Sequence, residues 1–239
     1  MTTPEQTHPI EITEQKIGPQ LNRLRAAVLG ADDGIVSVAG LVVGVAGATQ
    51  SRSIILAAGV AGILSGALSM AAGEYVSVSS QRDTERALLN KEMYELKHYP
   101  KAELEELAQI YQKKGLSEAT AQKAAQELTK HDVQAAHFDA ELGIDPSQLT
   151  SPWQAAVASA ISFTAGAVLP LATIGLIPAS TRVPATFVIV IFALAITGVL
   201  SALAGKSKPL KPTLRVMVGG ALAMIVTFGV GKLFHISTH

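Results

Sequence analysis

SIILAAGVAGILSGALSMAAG, residues 53–73, runs for 21 residues without a charged side chain. A helix rising 1.5 Å per residue covers about 30 Å in that length, the hydrocarbon thickness of a bilayer. Outward from it, uncharged runs recur at 34–51 (18 residues), 151–181 (31), 183–205 (23) and 216–231 (16). A chain of 239 residues, 49% apolar and only 16% charged, has no soluble interior large enough to hide them all. The runs predict five membrane spans, at about 27–49, 54–79, 154–177, 184–205 and 214–234. The first reaches full length only by including Asp32 and Asp33, and the last is extended by Lys232, whose ammonium snorkels to the interface.

Composition narrows the chemistry. With no cysteine there are no disulfides, iron–sulfur clusters, thiolate zinc sites or thiol nucleophile. Nineteen basic side chains balance 19 acidic ones, so the basic face that nucleic acid requires is missing. No nucleophile–base constellation or cofactor motif is recognisable, which points away from an enzyme and implies no cofactor.

Residues 81–150 differ in character, with 13 acidic, 9 Lys or Arg and 3 His residues in 70 positions, whereas 151–239 hold no acid at all. The chain divides accordingly into an N-terminal arm (1–25), spans one and two (26–80), a charged helical insert (81–150) and spans three to five (151–239). The arm lacks the apolar core of a cleaved signal peptide and reads as mostly disordered. With the N-terminus inside, the cytoplasmic segments carry 16 Lys or Arg and the other side three, so the positive-inside rule predicts a cytoplasmic insert and an external C-terminus.

Within the insert, residues 81–98 continue span two as a helix, and Pro100 opens a second, with Leu104, Leu107, Ala108 and Tyr111 at helical spacing. Gly115 stops it. Ser117 and Glu118 open a third helix that runs to Leu142, where Gly143 and Pro146 end it. Acids fall in pairs on these helices: Glu92 with Glu95, Glu103 with Glu106, and Glu141 one turn after His137. Residues three or four apart share a helix face, so each pair can present two ligand atoms to one divalent ion. Such faces are also commonly just solvated, and Lys91, Lys97 and Lys101 are at hand as partners.

Acids inside spans are costlier. Asp32 and Asp33 lie near one end of span one, and Glu74 closes span two with Met70 four residues before it. Intramembrane acids usually face a bundle interior or an aqueous path, and a thioether on the same face is a candidate soft ligand. Gly40 with Gly44, and Gly62 with Gly66, form GxxxG pairs that permit close helix approach. Pro170 predicts a kink in span three, Pro178 its stop, and Lys206, Lys208 and Lys211 anchors at anionic headgroups.

Three segments together, GADDGIVSVAGLVVGV (30–45), LSGALSMAAGEYVSVSSQRD (64–83) and FDAELGID (138–145), resemble the vacuolar iron transporter family, in order and over roughly residues 20–235. The resemblance implies an all-α membrane protein with five transmembrane helices and a cytoplasmic three-helix metal-binding bundle inserted between spans two and three. It implies a homodimer with its pore at the subunit interface, exporting Fe²⁺, or Mn²⁺, from the cytoplasm by proton antiport. In a bacterial-type member that membrane is the inner one. Carried over by position, the pore ligands are Asp33, Met70 and Glu74, and the insert's ligands are Glu92, Glu95, Glu103, Glu106 and Glu141, with His137 beside them. The chain departs from the family's eukaryotic pattern at Gly62, where an acid is expected two turns before the methionine. The competing expectation, from another class, is a membrane-anchored protein that binds or senses metal without moving it.

Overall fold

The computed structural model describes residues 17–205 and 207–234. Seven α-helices follow in order: α1 (Ile17–Ala48), α2 (Arg52–His98), α3 (Pro100–Lys113), α4 (Glu118–His137), α5 (Pro152–Leu176), α6 (Arg182–Ala204) and α7 (Leu210–Leu233). Of the N-terminal arm, residues 1–16 lie outside the described residues, as does Lys206. Residues 17–25, assigned above to the arm, are instead the first turns of α1. Each of the five expected spans is a helix long and apolar enough to cross a membrane, and the protein is a multi-pass membrane protein.

The chain forms two compact units, one running to Gly73 and resuming at Ala156, the other Glu74–Ala155. In the first unit α1 is central. One of its faces sets Val38, Val42 and Ala46 against Ile55 and Ile63 of α2 and Phe163, Ala167 and Ile174 of α5. Its other face sets Ile35, Ala39 and Val43 against Val190 and Leu194 of α6 and Met224 of α7. The outward surfaces stay apolar: Leu64, Val188, Phe192 and Leu222 are all more than half exposed. In water such a surface would be a liability, whereas against lipid tails it carries no penalty.

Two glycine contacts set the helix spacing. A Cβ on Gly166 would run into the backbone carbonyl of Ala31, and one on Gly34 into that of Phe163, so α1 and α5 meet backbone to backbone. The GxxxG pairs are spent inside the chain as well. Gly40 and Gly44 face Thr227 of α7, while Gly62 faces the end of the Leu41 side chain and Gly66 the Phe163 ring. Helix α5 passes through Pro170 as one helical element and ends at Leu176, two residues before Pro178.

In the second unit, the turn between α2 and α3 is a single residue, Tyr99, with Pro100 at the first helical position, where its missing N–H is no loss. Gly115, at φ +103°, reverses the chain after α3. Ser117 then caps α4 by accepting a hydrogen bond from the Thr120 N–H. Leu107, Ala108 and Ala125 form a small core between α3 and α4. The third insert helix is not continuous to Leu142. Asp132 leaves the helical region (φ −156°, ψ 100°), and its carboxylate accepts from the Ala135 N–H, capping a short second segment. After His137 the chain winds into a π-helical turn, Phe138–Leu142, closed by left-handed Gly143 (φ +62°).

Candidate metal centre

The insert's acids do not share one environment. Glu92 of α2, Glu103 of α3 and His137 of α4 are 1%, 6% and 1% exposed, and Glu141, on the π-turn, is half-buried. Each offers one ligand atom, and the four atoms lie within 4.8 Å of one another. His137 Nδ1 stands 3.0 Å from Glu92 Oε1 and 3.8 Å from Glu103 Oε2. Yet Glu92 Oε1, Glu141 Oε2 and both ring nitrogens of His137 lack a hydrogen-bonding partner. Buried polar atoms are nearly always satisfied. Three of the four converging residues, Glu92, His137 and Glu141, thus offer ligand atoms without a hydrogen-bonding partner, and such a set fits a divalent ion.

Local structure explains the convergence. Glu92 follows buried Leu89 by three residues, and Glu103 precedes buried Leu107 by four, so both acids sit on their helices' inward faces. The π-turn, with its wider spacing, keeps Glu141 on the same side as His137 four residues earlier; such turns gather at functional sites.

Electrostatics matches an ion-binding cage. Burial first, then repulsion from Glu92 and Glu106, pushes Glu141 up to about 7. Burial, followed by the Glu103 charge, raises Glu92; burial, followed by the Glu106 charge, raises Glu103. Burial also lowers His137, favouring the neutral imidazole that binds metals. The remaining expected ligands stand apart. Glu95 is half-buried and accepts a 2.8 Å salt bridge from Lys91, and Glu106 is exposed.

The spans hold a second constellation. An open groove of about 310 Å³ is lined on α1 by Asp33, Ser37 and Leu41, and on α2 by Gly62, Ser65, Ser69 and Met70, with Phe163 of α5 at its wall. The Ser37 hydroxyl donates to Asp33 Oδ1 at 2.7 Å. Asp33 and Met70 are thus brought to one groove, and Gly62 opens into it without a side chain. Asp32 does not line it. Glu74, half-buried, follows Met70 by four residues on α2. The three serines were not singled out from the sequence, although Ser37 lies one turn after Asp33, and Ser65 one turn before Ser69.

Comparison with known proteins gives a family match over residues 24–232, to the VIT family. A protein of Acanthamoeba castellanii named vacuolar iron transporter is 42% identical over 211 residues, 88% of this chain and 78% of the relative. Vacuolar iron transporter homolog 1 of Oryza sativa subsp. japonica is 41% identical across 88% of this chain and 73% of its own. Vacuolar iron transporter homolog 3 of Arabidopsis thaliana is 36% identical across 90% and 85%.

Proposed function

The chain belongs to the VIT family, and from that premise we propose that it is a transporter, not an enzyme, that moves Fe²⁺, and Mn²⁺ alongside it, out of the cytoplasm. The observation that carries the reading is the groove between the spans, where Asp33, Ser37, Ser65, Ser69 and Met70 offer oxygens and a thioether in an otherwise apolar lining. Hydrocarbon supplies no ligand to a crossing ion, so each must come from the chain. Oxygen donors suit Fe²⁺ and Mn²⁺, and the Met70 sulfur discriminates against Mg²⁺ and Ca²⁺.

In this reading the insert gathers metal on the cytoplasmic side, the side the Lys and Arg bias favours. Glu92, Glu103, His137 and Glu141 hold it, Glu95 and Glu106 attract it, and it passes to Asp33, Met70 and Glu74. Two copies face each other across the groove, because the Asp33 carboxylate and the three serines on it are unsuited to lipid. Protons returning through the same acids release the metal on the far side.

Metal uptake into proteoliposomes, with and without a pH gradient, tests the proposal. Uptake of Fe²⁺ or Mn²⁺ that an opposing proton gradient accelerates supports it. A second reading, a membrane-anchored metal buffer, is favoured by the buried four-ligand cluster taken alone. Metal binding with no uptake under either condition would select that reading.

A further inference from the structure

We propose that the exposed face at the start of α7 is a binding surface for anionic phospholipid headgroups, read by Lys208, Lys211 and Arg215. All three are exposed, and among the described residues none is in an ion pair. The local chain offers no counter-charge, because residues 151–239 contain no Asp or Glu.

Helix geometry fixes where these charges point. Thr213, Gly220, Met224 and Gly231 form the buried stripe of α7. Lys211, Arg215, Val218 and Leu222 recur at i, i+4, i+7 and i+11, a single stripe on the opposite side. Val218 and Leu222 on it are 55% and 56% exposed, and the flanking Leu210 and Leu214 are 69% and 49% exposed. The cations therefore continue the face that meets lipid tails and sit where that face ends. No side chain caps the first turn of α7, so its N-terminal partial charge adds to theirs. A phosphate-bearing lipid fits both halves of this surface, its acyl chain on the leucines and its headgroup on the cations.

A topological signal alone would also place basic residues here, and the experiment separates the two. Trp153, the single tryptophan, is replaced (Trp153→Phe), and a reporter is introduced between the cations (Leu214→Trp). The full-length protein is reconstituted in vesicles, and quenching of the reporter by brominated phosphatidylglycerol is compared with quenching by brominated phosphatidylcholine. Each basic residue near an anionic surface contributes roughly a fivefold preference, so the parent should favour phosphatidylglycerol at least about fivefold. Lys208→Gln, Lys211→Gln and Arg215→Gln together should bring the ratio close to one, while the exchanges Lys211→Arg and Arg215→Lys keep it. The preference should also shrink with salt, since the Debye length falls from about 10 Å at 0.1 M to about 3 Å at 1 M. Equal quenching by both lipids in the parent, no quenching because another copy covers the face, or an unchanged ratio in the triple variant would each overturn the proposal.

Discussion

Glu141→Gln should stabilise the metal-free insert at alkaline pH while weakening its grip on metal. The native carboxyl, raised from 4.5 to about 7, favours folding fully only while folded and unfolded chains both hold its proton. From pH 4.5 upward the unfolded chain releases that proton first, and stability drains away until about pH 7. At 1.36 kcal/mol per unit, a rise of that size is worth roughly 3 kcal/mol. Glu92 and Glu103, also raised, add in the same direction. His137, lowered, acts at the other end: below its ordinary 6.5 the unfolded chain takes a proton that the folded one refuses. Gln at 141 is neutral at every pH, so its benefit should be near zero at pH 4.5 and up to roughly 3 kcal/mol at pH 8.

Metal reverses the balance. An ion at about 100 times its dissociation constant stabilises the folded state by about 2.7 kcal/mol, and it needs Glu141 ionised, so native affinity should climb up to about pH 7 and then level. The assay is hydrogen exchange of the protected amides of α3 and α4 in the full-length protein, corrected for intrinsic rates, at acid and alkaline pH, with and without Mn²⁺. If Glu141→Gln lowers protection equally at both pH values, Glu141 serves packing and the electrostatic account of the cage fails.

Glu92→Gln with Glu103→Gln should cost far more calorimetric affinity for Mn²⁺ than Glu95→Gln with Glu106→Gln, because only the first pair is buried beside His137. In proteoliposomes, Asp33→Asn and Met70→Ala should each abolish metal flux while size-exclusion behaviour and insert binding stay parental; parental flux in Asp33→Asn would make that residue an interfacial charge. Single cysteines at Ser37 and Leu41 should crosslink between copies, whereas cysteines at buried Ala39 and Val43 should not. Gly166→Val should lower thermal stability at the upper end of the ~1–3 kcal/mol typical of overpacking, because the Ala31 carbonyl cannot rotate away; Gly73→Ala, with open space around it, should change little.

Charge gaps made the five spans legible, since a charge at bilayer depth is costly enough to be avoided almost everywhere. Turn chemistry was equally plain at Pro100, Gly115, Ser117 and Gly143, each a residue with one strong backbone preference. The inner members of each acid pair were less so. Spacing puts Glu92 and Glu95 on one face, and only the burial of Leu89 and Leu107 reveals that Glu92 and Glu103 point inward. The break at Asp132 left no mark, because apolar spacing continues through it and a capping aspartate looks the same as a solvated one. The glycine pairs were legible only in part: they signal close packing but not the partner, and Gly40 and Gly44 face α7 of their own chain.

What then favours two copies is the charge of the groove. It presents one carboxylate, Asp33, and its serines are neutral. Gly62 opens into the same space without adding a charge. Glu74, further along α2, does not line the groove, so a divalent ion held there by a single chain would keep one positive charge uncompensated beside apolar spans, where an unpaired charge is among the costliest features a membrane protein can carry. A second Asp33 from a facing copy brings the sum to zero. The insert needs no such help, since three carboxylates and an imidazole already exceed the charge of the ion. The two sites therefore differ in kind. Under the proposed function the cage, over-supplied with negative charge, would hold metal once its protons leave, whereas the groove would reach neutrality only as a shared site and is lined otherwise by weak ligands. A path that must release its cargo is better built from the second kind of site than from the first.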